Sequence, residues 1–84
     1  MTFIVNIETK AEHFDKAKQL FAEREETVTL IQTTGNCHLV AVCVSESVKT
    51  MRDFVNMVNR NIEGITYISA HSVLDVVKGS IIPE

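Results

Sequence analysis

Tryptophan is missing from this chain, proline occurs once and glycine three times. With so few residues that interrupt or loosen a backbone, collagen-like, low-complexity and disordered readings are excluded. Basic clusters are missing as well. Eight lysines and arginines stand against eleven aspartates and glutamates, a net charge of −3. That balance excludes a direct nucleic-acid binder, whose surface needs clustered cations to displace counterions from phosphate. No apolar run approaches the roughly 18 residues of a membrane span. The start Met1-Thr2-Phe3-Ile4-Val5-Asn6 has neither the charged opening nor the small-residue cleavage site of a signal peptide. The expectation is a soluble cytoplasmic protein with no membrane partner. Cysteine is scarce too: if Cys37 and Cys43 lie on one strand, they are about 20 Å apart. That is beyond disulfide reach, so no intrachain bridge is expected.

What the chain does have is apolar residues, 45% of 84 positions. This is enough for one core and one domain, residues 1–84, although a domain this small shields little of its surface and tends to share its stability with partners. Phe3, Val5 and Ile7 alternate with Asn6 and Glu8, the period of a strand with one buried face. Thr9-Lys10-Ala11-Glu12 then has the form of a capping box, and Ala11, Phe14, Ala17 and Phe21 mark one face of a helix ending near Glu25. Thr27 to Thr33 is rich in β-formers, and Gly35-Asn36 supplies residues tolerant of positive φ, as a hairpin requires. The next run, Leu39-Val40-Ala41-Val42-Cys43-Val44, is apolar on both faces and must be covered from both sides. Val48, Met51, Val55, Val58 and Ile62, with Phe54 beside them and Met57 off the stripe, give a second amphipathic helix after N-cap candidates Ser45 and Ser47. Gly64 ends it, and Ile65 to Lys78 reads as one long strand. In the short tail, Ile81-Ile82 is expected to dock on a neighbouring surface.

The order β-α-β-β-α-β folds into a four-stranded antiparallel sheet with both helices on one face, an α+β, ferredoxin-like arrangement. Helices can cover only one face of Leu39–Val44. The other face then needs a second copy, since soluble monomers avoid large exposed apolar patches. A dimer packed sheet to sheet is therefore expected.

Catalytic chemistry finds little support. Cys37 and His38 are adjacent, and neighbours on a strand point to opposite faces, which prevents a nucleophile-base dyad within one chain. Cys37, His38, Cys43 and His71 match no metal-ligand spacing, so neither a metal nor a cofactor is expected. Asp53, Glu46 and Glu63 read as helix-surface carboxylates, His13 as a surface or half-buried residue, and Glu23 to Glu26 as a solvated helix end and loop. Tyr67, Ser69 and His71 share one strand parity, a polar strip that either lines a cleft or is simply solvated.

The run from Leu30 to Val40, followed by the second helix, Gly64-Ile65 and Val73-Leu74-Asp75-Val76-Val77-Lys78, resembles the effector-binding (RAM) domain of the Lrp/AsnC family of transcription regulators, over about residues 2 to 82. The resemblance implies a dimeric α+β barrel, further assembly into octameric rings, and an amino acid or similar effector bound in a cleft between subunits. Carried over residue by residue, one cleft wall is Thr34, Gly35, Asn36, Cys37 and His38, with backbone amides around Gly35 receiving a carboxylate, and the last strand contributes Ile68 and Ala70. Three departures stand out. His38 takes a position where many members have aspartate, Ile68 and Ala70 replace two common threonines, and the chain carries no helix-turn-helix. The expectation is an effector and oligomerisation module, stand-alone or a fragment, that tunes a transcription regulator either by sensing an amino-acid-like ligand or by co-assembling with a helix-turn-helix-bearing paralogue. Rival readings are a structural assembly domain with a vestigial cleft and a small oxygenase on the same barrel.

Overall fold

The computed structural model describes residues 1–80. Its first element, β1, spans Thr2–Thr9 and alternates half-buried and buried residues along its whole length. A single 3-10 turn, Ala11–His13, leads into α1, Phe14–Glu23. The hairpin strands follow as β2, Thr27–Gln32, and β3, His38–Val44; then come α2, Val48–Asn61, and β4, Ile65–Ser72. All neighbours pair antiparallel in the order β2-β3-β1-β4. This is the ferredoxin-like βαββαβ arrangement read from the sequence.

The core lies between one face of this sheet and the two helices. Phe3, Val5 and Ile7 of β1 stand opposite Cys43, Ala41 and Leu39 of β3, and all six are buried. From the helices, Ala17, Phe21, Phe54 and Val58 close over them, with Ile62 after α2. The Phe54 ring meets Phe3 and Phe21 edge to face, each at 5.9 Å between centroids, an arrangement that adds about 1 kcal/mol per pair beyond burial. Met57, which the helical spacing leaves off the apolar stripe, also packs against this core. At the start of α2, Ser47 and Thr50 cap each other reciprocally, satisfying amide groups that the first helical turn leaves open.

Three local expectations are corrected by tertiary pairing. The Thr9–Glu12 capping box does not form: Thr9 is still in β1, 5% exposed, and its hydroxyl donates to the Lys10 carbonyl at 3.0 Å. With Thr9 held by the sheet, the helix opens through the 3-10 turn without a side-chain cap. The last strand ends at Ser72 rather than running to Lys78. β4 is an edge strand whose neighbour begins at Thr2, so after the Val73 amide bonds the Thr2 carbonyl at 2.9 Å no partner strand continues among the described residues. The following segment leaves Leu74 and Val77 almost wholly exposed. In the hairpin turn the positive φ falls on Cys37, at 52°, not on Gly35 or Asn36. The expected docking of Ile81 and Ile82 lies outside the described residues. The charge run after α1 is a solvated loop in which Arg24 forks onto Glu26 at 2.9 and 3.2 Å. That hydrogen bonding holds the Glu26 carboxyl below its usual range.

Candidate functional site

The turn between β2 and β3 is built around one hydroxyl. Thr33 Oγ1 accepts from the Gly35 amide at 3.1 Å and lies 2.8 Å from His38 Nδ1, while the Thr33 amide donates to the His38 carbonyl at 3.2 Å. Gly35 leaves the turn room here. A Cβ would stand 3.1 Å from His38 Cβ and 3.2 Å from Thr33 Oγ1, closer than side chains ordinarily approach. The Gly35 amide is thus used by Thr33, which leaves the neighbouring amides of the turn as the ones a ligand carboxylate would meet. On the other side, Thr9 donates its amide to the Cys37 carbonyl at 3.2 Å, tying the turn to the end of β1.

Cys37 occupies the left-handed corner and not the first position of the strand. Alternation of strand faces is therefore not what separates it from His38; the imidazole is bonded instead to Thr33. The second thiol, Cys43, is wholly buried. Burial pushes it up to about 11, opposed by the Thr27 hydroxyl 3.9 Å away. Since the thiolate is the reactive form, an aromatic disulfide reagent at pH 8 is expected to titrate one thiol per native chain, Cys37, and both in denaturant. Two equally fast native thiols would contradict the packing of Cys43.

The sequence-read site residues divide between the two faces of the sheet. Thr34, Gly35, Asn36, Cys37 and His38 stay together at the turn. Ile68 and Ala70 do not join them in this chain: they stand opposite Ile7 and Val5 on the helix-covered side and pack against the core. The residues of β4 that share a face with His38 are Tyr67, Ser69 and His71, opposite Glu8, Asn6 and Ile4. On that open face β3 contributes His38, Val40, Val42 and Val44, and β2 contributes Thr29 and Ile31. Ile31, Val40, Val42 and Val44, with Ile4 of β1 beside Val42, make one part of this face apolar, while His38, Glu8, Asn6, Tyr67, Ser69 and His71 make the rest polar. Among the described residues, hollows lie between Thr2 and Val73–Val76, and along Glu23–Glu26 and Val44–Glu46. Among the described residues no group of three or more His, Cys, Asp or Glu stands where it could hold a metal ion.

Comparison with known families matches residues 2–82 to the Lrp/AsnC ligand binding domain. The chain belongs to that family. No curated protein matches it. Among solved structures, an AsnC family transcriptional regulator from Agrobacterium tumefaciens is similar at TM-score 0.77 and 19% identity, over 99% of this chain and 56% of that one. A Neisseria meningitidis transcriptional regulator, solved as a complex with L-Met, is similar at TM-score 0.72 and 12% identity, over 99% and 55%. A protein from Thermus thermophilus is similar at TM-score 0.79 and 19% identity, over 93% of this chain and 98% of that one. At these identities the structures share the fold with this chain. The chain spans about half the length of the two regulators.

In this Lrp/AsnC domain, two residues of the turn region escape a reading by sequence position. Thr33 organises both Gly35 and His38, and Glu8 faces His38 directly across the β1–β3 pair. Alternation along β1 places Glu8 on the open face, but only the strand register places it beside the turn. No helix among the described residues is long and apolar enough to cross a membrane.

Proposed function

We propose that this Lrp/AsnC domain is an effector-binding and assembly module of transcription regulation. Two copies pack open face to open face, and a small molecule of amino-acid type binds in the cleft that the second copy completes beside residues 33–38. The observation that carries this reading is the uneven sheet. One face is sealed by both helices, while the other bears Ile4, Val40 and Ile31 around a Val42 that is itself only 5% exposed, with Ile31 47% exposed and Val44 37% exposed. An apolar surface of that kind marks an interaction site, and a two-fold pairing of identical faces closes it. The turn by itself supplies one wall. The L-Met complex of the Neisseria regulator supports an effector of amino-acid type. DNA is reached through a partner, a longer family member carrying a helix-turn-helix with which this domain co-assembles into dimers and larger rings. The reading is non-catalytic: the His38 ring is held by Thr33, and the role of the site is recognition.

A thermal-shift panel of the twenty L-amino acids tests it. A ligand at a hundred times its Kd adds about 2.7 kcal/mol, which raises the melting point of a domain this size by roughly 10–20 °C. At least one amino acid is expected to do so. A panel without response, on protein that still self-associates, would leave an assembly domain alone and remove the sensing role.

A further inference from the structure

We propose that Glu8 is the effector-reading residue of this domain, and that it recognises a primary ammonium group. The inference rests on the effector reading above and specifies its chemistry. Two strand pairings put three polar side chains in one row across the open face: His38 of β3 stands opposite Glu8 of β1, and Glu8 stands opposite Tyr67 of β4. Side chains directly opposite across antiparallel strands are roughly 5 Å apart at Cβ, so the ends of all three reach a single small group.

The row is organised by a separate contact. Thr33 Oγ1 lies 2.8 Å from His38 Nδ1, which fixes the ring and leaves Nε2 as the nitrogen free to meet a ligand. Glu8 is half-buried, and its carboxylate has no ion pair or hydrogen bond among the described residues. A carboxylate partly withdrawn from water with no counter-charge favours a cation that can also donate hydrogen bonds. An ammonium has three donors, enough for Glu8 together with His38 or the Tyr67 oxygen.

The adjoining row runs Ile31, Val40, Asn6, Ser69. An aliphatic chain attached to the ammonium would lie along Ile31 and Val40. The Gly35 amide, by contrast, is taken by Thr33. The ligand class is therefore a small aliphatic amine, amino acids included, distinguished first by its ammonium and only second by any carboxylate.

The test is calorimetric titration of the assembled protein with the amino acid giving the largest thermal shift, and with its N-acetyl derivative. Acetylation is expected to abolish binding, and Glu8→Gln to weaken it roughly ten- to a hundredfold, the range for a hydrogen bond to a charged group. Glu63→Gln, exposed after α2, serves as the control and is expected to bind like the unaltered chain. Light scattering on Glu8→Gln is expected to show the mass of the unaltered protein. Glu8→Gln protein that binds normally, N-acetyl derivatives that bind as well as the amino acid, or a loss explained by failed self-association would each overturn the role of Glu8. If the unaltered protein answers no amino acid, the effector reading itself fails, and this assignment fails with it.

Discussion

Val40→Asp is expected to leave the chain folded and to abolish its self-association. Val40 lies in the middle of the open face, between Ile31 of β2 and Asn6 of β1, and is not part of the helix-covered core. A carboxylate there touches water in the single chain. In a two-fold pairing it would be buried twice, once from each copy. Burying an unpaired charge costs several kcal/mol, and at about 1.4 kcal/mol per tenfold the dimer should weaken by roughly a thousandfold or more. Sedimentation velocity should show monomer at concentrations where the unaltered protein is associated, with an unchanged far-ultraviolet circular dichroism spectrum. If Val40→Asp still associates, the interface lies elsewhere, and the exposed Leu74 and Val77 after β4 become the surface to examine.

Gly64→Ala is expected to remove a large part of the domain's stability. Gly64 has a φ of 77° as the chain turns from α2 into β4, and its carbonyl accepts from the Lys10 amide at 2.8 Å. A left-handed backbone costs an alanine roughly 1–2 kcal/mol. The added Cβ would also land on the His13 ring, 2.9 Å from Cγ and 3.1 Å from Nε2. Overpacking of that kind typically adds about 1–3 kcal/mol. Domains of this size have a total stability of only about 4–13 kcal/mol, so a melting-point drop of well over 10 °C is expected. The clash and the backbone cost are separable. With His13→Ala in the background, Gly64→Ala should destabilise less, by the part due to the ring. An unchanged melting point for Gly64→Ala would mean that the 3-10 turn does not sit against this corner.

The elements of this fold are legible in the sequence where a period repeats several times. Phe3, Val5 and Ile7 identify β1, and Met51, Phe54, Val55 and Val58 identify α2 because burial enforces the spacing. The apolar run Leu39–Val44 likewise shows that the sheet has a second face to cover. What escapes is whatever two distant segments decide together. Thr9 has the local form of a cap, yet it is claimed by its pairing with β4. Val73 to Lys78 looks like strand, yet β1 begins too late in space to accompany it. The site divides in the same way. Residues 34–38 are contiguous and stay together at the turn, whereas Ile68 and Ala70 turn to the core because Ile7 and Val5 do. The row His38, Glu8, Tyr67 depends on the register of two pairings among three strands, which no spacing along the chain encodes.

The uncovered sheet face is the feature on which assembly, cleft and effector all depend. Multi-angle light scattering of the unaltered protein across about 1–100 µM, a range in which specific subunit interfaces are filled, tests it most directly. The account predicts a mass of at least twice the 9.4 kDa chain. A constant 9.4 kDa over the whole range would contradict it.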